Sequence, residues 1–283
     1  METVSRTAGL RAAIRKRRAR DCRIAFVPTM GNLHAGHLRL VAHARSIADC
    51  VVISIFVNPL QFGAGEDLAG YPRTLAADQA ALMEADADLL FVPAEDDIYP
   101  GGIAATTTVV VPGLNAILEG AHRPTHFDGV TTVVARLFNM VQPDVAVFGE
   151  KDYQQLLIIR RMVTELCMPV AIEAVATVRE ADGLAMSSRN GYLRARERGR
   201  APQIYRTLLD VKARVENGGK DYPAMEAAAC RQLAAAGLDP DYVSIRRQSD
   251  LASPATGDRA LIVLAAARLG TTRLIDNVKI SIS

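Results

Sequence analysis

The chain has 283 residues, of which 49% are hydrophobic and 23% charged, and its net charge is +2. A chain of this length and hydrophobic content can bury a substantial core and form two domains. The small net charge gives no reason to expect nucleic acid as a general partner, and no apolar run approaches the roughly 20 residues that a membrane-spanning helix needs. We therefore expect a soluble globular protein that binds neither nucleic acids nor membranes.

Residues 11–20 are the most basic part of the chain, with six Arg or Lys residues in ten. No aromatic side chains are interleaved with these charges, as they are on surfaces where nucleic acid bases stack. The run therefore favours an exposed helix face over an RNA-binding or targeting role.

The four cysteines, Cys22, Cys50, Cys167 and Cys230, are far apart and show no Cys-x-x-Cys spacing. This pattern indicates neither a zinc site nor a disulfide framework. We expect a protein of the reducing cytoplasm.

Short apolar segments alternate with segments of helical periodicity over residues 1–177. Segments that are rich in valine and isoleucine and apolar on both faces are typical of buried parallel strands. We expect these strands at residues 24–27, 51–57, 89–92 and 145–148. Helices are expected between them, because apolar residues recur at helical spacing in residues 130–141 and 156–163. The alternation predicts a doubly wound, Rossmann-like parallel sheet domain, whose ligands bind at the carboxyl ends of the strands.

The pattern changes in residues 178–283, where alanine-rich helical segments at 194–215 and 222–236 precede three short strand-like segments. We expect these strands at residues 242–246, 261–266 and 273–280. This order predicts a second, smaller α+β domain. We expect it to close over the ligand that the first domain binds.

His34-Ala35-Gly36-His37 follows the strand at residues 24–27 and opens a helical segment. The first N–H groups of a helix lack internal partners and its dipole is positive there, so such a junction attracts anions. Gly31 and Gly36 allow close approach of a ligand, and two imidazoles can donate hydrogen bonds to phosphate. Taken alone, the pattern fits a phosphate site and a turn with two solvated histidines equally well.

Residues 186–190, Met-Ser-Ser-Arg-Asn, place two hydroxyls and a guanidinium close together in a predicted loop. Hydroxyls and the fixed fork of an arginine suit phosphate oxygens. The same residues also suit a turn or a helix cap. Taken together, the two segments resemble the His-x-Gly-His and Lys-Met-Ser-Lys-Ser-like elements of the nucleotidylyltransferase superfamily.

Several longer segments, in order along the chain, resemble the pantothenate synthetase (pantoate:β-alanine ligase) family. They are residues 27–37 (VPTMGNLHAGH), 55–62 (IFVNPLQF), 71–74 (YPRT), 148–155 (FGEKDYQQ), 184–190 (LAMSSRN) and 268–277 (RLGTTRLIDN). The departures are Ala35, where the family often has an acidic residue, and Leu60, where methionine is common. Neither position needs a functional group.

The resemblance implies an AMP-forming ligase of pantothenate biosynthesis, which supplies a precursor of coenzyme A. ATP and (R)-pantoate would give pantoyl adenylate and pyrophosphate, and the amine of β-alanine would then displace AMP. The partners would be these small molecules, the metal would be Mg²⁺ bound to ATP, and the protein would be a homodimer.

The resemblance also implies the site residues. His34, His37 and Lys151 would be catalytic, with His37 the better candidate for proton donor and Lys151 a fixed positive charge. The expected ATP-binding residues are Met30, Gly31, Asn32, Leu33, His34, Ala35, Gly36, His37, Gly149, Glu150, Lys151, Asp152, Val178, Met186, Ser187, Ser188 and Arg189. Gln61 would bind pantoate and β-alanine, and Gln155 would bind pantoate, because an amide can hold a carboxylate without neutralising it.

The remaining candidates are Tyr71, Asp78, Arg123 and His126, for which lining the site and filling a structural role are equally good interpretations. If it lines the site, Asp78 is the residue that would reach the Mg²⁺ chelated by ATP; no site for a metal held by the protein itself is predicted. Residues 63–67 are rich in glycine and lack the Lys of a P-loop, which favours a mobile cover over a phosphate cradle.

Two alternatives remain at this point. Another nucleotidylyltransferase would share the His-x-Gly-His element but would not explain the paired glutamines or Asn58-Pro59. An RNA-binding protein with relic nucleotide motifs would need the basic run at residues 11–20 to matter.

Overall fold

The computed structural model of the protein describes residues 1–282, and the chain divides into two compact units. The first comprises Met1–Glu150 and Ile158–Ala176. The second comprises Lys151–Leu157 and the residues from Thr177 onward. The segment Lys151–Leu157 therefore belongs with the second unit, although in the chain it interrupts the first.

The first unit is built on a six-stranded parallel sheet. Its strands are β1 (Glu2–Val4), β2 (Ile24–Thr29), β3 (Cys50–Ile55), β4 (Leu89–Phe91), β5 (Val145–Gly149) and β6 (Ala171–Val175). Their order is β1-β4-β3-β2-β5-β6, so the direction of winding reverses between β2 and β5. Ligands of doubly wound sheets bind at the carboxyl ends of the strands beside such a switch point.

The four predicted strands and the doubly wound fold class are confirmed. β3, β4 and most of β2 and β5 are buried on both faces, which is why their sequences read as continuous apolar runs. The prediction missed the edge strands β1 and β6, whose residues alternate in burial or are largely exposed.

Seven α-helices accompany this sheet among the described residues, the last of them shared between the units. They are α1 (Thr7–Arg18), α2 (Ala35–Ile47), α3 (Leu75–Glu84), α4 (Glu95–Ile98), α5 (Glu119–His122), α6 (His126–Val141) and α7 (Tyr153–Glu165). The basic run lies on α1, which buries Leu10, Ala13 and Ile14. Arg18 of the same helix pairs with Asp144 at 2.7 Å, so the run is a solvent-facing helix surface that also contacts its own unit.

The second unit contains α8 (Ala195–Arg200), α9 (Gln203–Glu216) and α10 (Tyr222–Ala235), with an antiparallel sheet of three strands. These strands are β7 (Asp239–Arg247), β8 (Ala260–Leu269) and β9 (Thr272–Ser281), in that order. Gly270, at φ +61°, suits the two-residue turn between β8 and β9. Leu208, Leu233 and Val263 lie in the buried core of the helices and the sheet. The predicted smaller α+β domain is confirmed.

One predicted helix was wrong. The single helix expected over residues 194–215 is divided into α8 and α9 at Ala201 and Pro202. Proline has no N–H for the helix ladder and its ring clashes with the preceding turn, so the alanine-rich periodicity on both sides does not carry one helix through it.

Candidate active site

His34 and His37 cap the start of α2, directly beyond the carboxyl end of β2. His34 Nδ1 accepts a hydrogen bond from the Gly36 N–H at 3.1 Å, and His37 Nδ1 accepts one from the His34 N–H at 3.3 Å. The two ring centroids are 4.1 Å apart. Because a neutral imidazole that accepts at Nδ1 carries its hydrogen on Nε2, this reciprocal cap makes Nε2–H the donor of each ring. The sequence predicted the two histidines but not that they cap one another.

The loop before this helix is held by Asp78 of α3. The Asp78 side chain is buried and accepts hydrogen bonds from the Asn32 N–H at 2.9 Å and the Leu33 N–H at 2.8 Å. Thr74 Oγ1 donates to the same carboxylate. Gly31 lies at φ +82°, and a Cβ there would be 3.0 Å from Asp78 Oδ2. Asp78 therefore fixes the backbone of the predicted phosphate-binding loop, a role that the sequence did not assign to it.

Gln61 ends a short 3₁₀ turn, Pro59–Gln61, which Asn58 organises. Asn58 is buried; its Nδ2 donates to Gln61 Oε1 at 3.0 Å and to the Gly129 carbonyl at 3.1 Å. Its Oδ1 accepts from the Tyr99 hydroxyl at 2.6 Å. Burial raises the pKa of Tyr99 well above its ordinary value, so the hydroxyl stays protonated and able to donate. Asn58 thus orients the Gln61 amide; the sequence marked it only as part of a motif.

Helix α6 packs directly against this turn. At Gly129 a Cβ would be 2.4 Å from the Leu60 carbonyl oxygen, so only glycine allows this contact. The need for glycine here arises from two segments that meet in space, which a single sequence does not reveal.

Arg123 and His126 lie beside the backbone of Gln61. His126 Nδ1 is 2.8 Å from the Gln61 carbonyl oxygen, so it carries the hydrogen and donates, and His126 Nε2 accepts from Arg123 Nη1 at 3.1 Å. Burial, together with the nearby Arg123 charge, lowers the pKa of His126 to about 4, which keeps the ring neutral. The structure thus brings both residues to the predicted pantoate glutamine.

Arg123 also pairs with Glu66, which lies in the glycine-rich segment predicted to be a cover. The contact is bidentate, at 2.7 Å to Oε1 and 2.6 Å to Oε2. Burial raises the pKa of the Glu66 carboxyl, but its hydrogen bonds from Arg123 and the Arg123 charge outweigh this and hold the pKa below its usual range. An ion pair therefore connects the segment to Arg123, the residue that follows α5. Tyr71, the fourth of the remaining candidates, is buried with its ring 5.8 Å from that of Phe62.

The second unit contains its own group of predicted residues. Lys151 lies in the 3₁₀ turn Glu150–Asp152, with Nζ 3.7 Å from Asp152 Oδ1, beyond hydrogen-bond distance. Gln155 is partly buried in the first turn of α7. The Met186 N–H donates to the Val178 carbonyl at 2.9 Å, so these two expected ATP-binding residues are neighbours. Ser187 Oγ accepts from the Arg189 N–H at 3.2 Å and caps the turn Ser188–Tyr192, in agreement with the capping interpretation.

Residues 1–282 hold no group of three or more His, Cys, Asp or Glu side chains arranged to bind a metal ion. None of the helices in that part of the chain combines the length and apolarity of a membrane span.

A histidine-capped helix at the switch point of a parallel sheet is the arrangement that α/β enzymes use to bind phosphate-containing ligands. The family model for pantoate-beta-alanine ligase matches residues 2–279. The chain belongs to this family, and it is an enzyme, a ligase of pantothenate biosynthesis, as the sequence predicted.

Individual relatives agree over the whole chain. The pantothenate synthetase of Thioalkalivibrio sulfidiphilus is 58% identical over 282 residues, covering 100% of this chain and 99% of that protein. That of Pseudomonas aeruginosa is 56% identical over 280 residues, with 99% of each chain covered. The full-length similarity favours the ligase over both alternative functions.

Solved structures are similar as well. The crystal structure of pantothenate synthetase from Thermus thermophilus has a TM-score of 0.92 and 48% identity, covering 98% of this chain and 99% of that one. Pantoate-beta-alanine ligase from Francisella tularensis, complexed with beta-gamma ATP and beta-alanine, has a TM-score of 0.82 and 32% identity, covering 98% and 97%.

Proposed function

We propose that this chain joins pantoate to β-alanine in two steps, through a pantoyl adenylate. A carboxylate oxygen of pantoate attacks the α-phosphorus of ATP, and the bond to pyrophosphate breaks. The amine of β-alanine then attacks the acyl carbon, the bond between that carbon and the oxygen of AMP breaks, and the nitrogen loses a proton. The observation that carries the proposal is the anion-binding start of α2, capped by His34 and His37 beside the switch point.

In the first unit, the Nε2–H groups of His34 and His37 and the helix N–H groups stabilise negative charge on the phosphates. His37 is proposed to stabilise the departing pyrophosphate as a hydrogen-bond donor through Nε2–H, rather than to transfer a proton, because a neutral ring that accepts at Nδ1 would become an imidazolate. The reciprocal cap supports this role, because donors fixed before the reaction need no reorganisation as charge develops. The loop Met30–Leu33 would carry the nucleotide at its backbone, held by Asp78.

In the second unit, Lys151 supplies a fixed positive charge, and Ser187, Ser188 and Arg189 contact phosphate oxygens. The backbone at Gly149–Asp152, Val178 and Met186 completes the proposed nucleotide contacts. We propose that the second unit closes over the ATP held by the first, so that both groups act on the same phosphates. The effect would be mainly positioning and electrostatic, since no covalent enzyme intermediate is required.

Gln61 and Gln155 are proposed to bind pantoate, and Gln61 also β-alanine. The contact from Asn58 to Gln61 Oε1 supports this role, because it directs the amide and fixes which end of it can donate. The ties from Arg123 and His126 hold the Gln61 backbone in the same position.

Mg²⁺ would enter bound to ATP, as part of the substrate. We propose that Asp78 holds the loop rather than the metal, because each of its carboxylate oxygens accepts a backbone N–H from the loop and Thr74 Oγ1 donates to the same group. We propose no step through a metal held by the protein. The cytoplasmic location and the homodimer both stay predictions. Light scattering on the purified protein would test for the dimer.

The adenylation route is tested with pantoate labelled with ¹⁸O in its carboxylate, incubated with ATP, β-alanine and MgCl₂. The expected products are pantothenate, pyrophosphate and AMP in equal amounts, with one ¹⁸O atom in the phosphate of AMP. A reaction without pantoate is the control for ATP hydrolysis. Formation of ADP and phosphate, or AMP without label, would overturn the proposal.

A further inference from the structure

Asp276 and Asn277 lie on β9. They are the last two residues of the segment 268–277, which resembles the ligase family but to which the sequence analysis assigned no role. Both side chains are buried. Burying a carboxylate and an amide in a small domain is costly unless each is paired, so the partners of these two side chains indicate what they do. Those partners lie in two segments that contain proposed nucleotide-binding residues.

Asn277 holds the 3₁₀ turn Glu150–Asp152, the lysine turn, which contains Lys151. Its Nδ2 donates to the Lys151 carbonyl oxygen at 2.9 Å, across 126 positions of the chain. The neighbouring Tyr153 hydroxyl donates to the Gln248 carbonyl at 3.0 Å, and Lys279 Nζ lies 5.8 Å from the Tyr153 ring centre. These contacts explain why Lys151–Leu157 groups with the second unit: the lysine turn is attached to the antiparallel sheet.

Asp276 holds the other segment through Arg179. Arg179 Nη1 and Nη2 bond to the two carboxylate oxygens at 2.6 and 3.0 Å, and Nη2 is also 3.3 Å from the Asn277 carbonyl oxygen. Such a bidentate fork fixes the guanidinium in direction as well as in distance. The Asp276 side chain is 4% exposed and that of Arg179 18%, so solvent screens this pair little.

Arg179 in turn orders the hairpin that carries Val178 and Met186. Its Nη1 donates to the Gly183 carbonyl at 3.1 Å, and Arg179 pairs with Ala185 in an isolated bridge. The guanidinium carbon lies 3.7 Å from the Tyr205 ring centre. Gly183, at φ +94°, lies so close to this ring that a Cβ would be 2.5 Å from Tyr205 Cδ1. The turn and Arg179 therefore pack against the same tyrosine ring.

We propose that Asp276 and Asn277 are positioning residues, which fasten the Lys151 turn and the hairpin at residues 178–189 to β9 as one rigid nucleotide-binding body. Asn277 acts through Lys151, and Asp276 acts through Arg179. The inference rests on the proposed function, because it takes Lys151 to be the residue that stabilises charge on the phosphates. It adds that the strand β9, rather than the turn itself, sets where that charge lies.

The test is a double-mutant cycle between Asn277→Ala and Lys151→Ala, read out as pyrophosphate formed in a single turnover with MgATP and pantoate alone. With Lys151 present, Asn277→Ala should slow adenylation on the order of 10- to 100-fold, because misplacement of a charged group by about 1 Å is enough to do so. In the Lys151→Ala background the same change should have an effect of less than about 3-fold, since residues that act together are not additive.

The matched control is Asp241→Ala, which removes the 2.6 Å ion pair between Asp241 of β7 and Arg273 of β9, away from the lysine turn. It should lower the melting temperature comparably while leaving adenylation near the rate of the unmodified enzyme. If Asn277→Ala does not fold, Asn277→Asp takes its place in the cycle, because it keeps the shape and loses the N–H donor.

Equal slowing by the Asn277 variant in both backgrounds would overturn the positioning role while leaving the role of Lys151 intact. A near-normal rate for Lys151→Ala would instead overturn the proposed catalytic role of the lysine, and the positioning role with it. For the second contact, Arg179→Lys keeps the charge and loses the fork. It should raise KM for ATP on the order of 10-fold with KM for pantoate unchanged; equal rises in both would overturn the part assigned to Asp276.

Discussion

In the first unit the two histidines lie three residues apart and cap the same helix, whereas in the second unit Lys151 and Arg179 are held by β9 from 126 and 97 positions away. The cap formed by the two histidines is complete once the first turn of α2 has formed, and within this site Asp78 makes a long-range contact, to the loop before the helix. The lysine turn and the hairpin take their places only when the antiparallel sheet has formed, because the ties between them are not local. Closing such long loops costs entropy that only the folded unit repays.

The difference separates two ways of building a site for anions. A helix N-terminus provides N–H donors and a positive dipole from the backbone itself, so its side chains refine a site that already attracts phosphate. The Lys151 turn and the hairpin that Arg179 orders are held instead by buried polar contacts with β9. We therefore expect changes at the histidines to affect chemistry with little loss of stability, and changes on β9 to affect both.

The largest effect is expected from His37→Ala. Removing a fixed donor to charge that develops in the transition state costs about 10²- to 10³-fold, so adenylation should fall by that amount. Amide formation from supplied pantoyl adenylate and β-alanine should be reduced far less, because no pyrophosphate leaves in that step. Rapid-quench measurement of each half-reaction checks this.

His43→Ala is the matched control, since His43 lies on the same helix with its Nε2 3.8 Å from Glu173. Both half-reactions should run at near-normal rates in this variant. If His37→Ala slowed the two half-reactions equally, His37 would be organising the whole site, and its role as a donor to the phosphates would have to be abandoned.

The same contrast explains what the sequence could predict. The central strands were visible because they are apolar on both faces, and the edge strand β6 was not, because its residues alternate in burial. His34 and His37 were visible because strand, turn and helix start follow each other in the chain. The break in the helix predicted over residues 194–215 was missed although the sequence contains Pro202, because the apolar periodicity continues beyond that residue.

The contacts that position the site could not be predicted in this way. Asp78 was a candidate both for ATP-bound Mg²⁺ and for a structural role, and the sequence did not indicate that it bonds to loop N–H groups 45 and 46 positions away. Nothing in a single sequence indicates that Gly129 meets Leu60, or that Asn277 meets Lys151. Such pairings depend on how the elements pack, and a single sequence does not carry that information in its local pattern.

An intermediate effect on adenylation is expected from changes at Asp78, because this residue makes the long-range contact within the histidine site, whose other contacts are local. Asp78→Ala leaves the N–H groups of Asn32 and Leu33 without their acceptor, which should lower the free energy of unfolding by about 1 to 3 kcal/mol. The loop would then shift beneath His34, and adenylation should slow as well. Asp78→Asn keeps one acceptor and should lie between this variant and the natural protein in both measurements.

Titration with MgCl₂ separates this role from metal binding. If Asp78 fixes the loop, raising the Mg²⁺ concentration should not restore the adenylation rate of either variant. Restoration of the rate, with normal stability in urea unfolding, would mean that Asp78 is a metal ligand. Its contact with the loop would then not be what positions the histidine site.

The smallest effect is expected at His126, and it concerns pH. Its pKa is lowered from 6.5 to about 4 by burial and by the Arg123 charge, so between these values the folded protein keeps the ring neutral while the unfolded chain binds a proton. The free energy of unfolding should therefore fall as the pH drops from 6.5 towards 4, with a slope from this group of at most about 1.4 kcal/mol per pH unit.

His126→Asn removes the titrating group but keeps an N–H donor near the Nδ1 position, so the hydrogen bond to the Gln61 carbonyl can be retained. The expected result is a flatter pH dependence than that of the natural protein over this range, with similar stability at pH 8, measured by urea unfolding at each pH. Carboxyl groups titrate in both proteins, so their contributions to the pH dependence cancel in the difference. Parallel curves would show that His126 is protonated in the folded state as readily as in the unfolded chain, and the neutral donor to the Gln61 carbonyl would have to be replaced by a charged one.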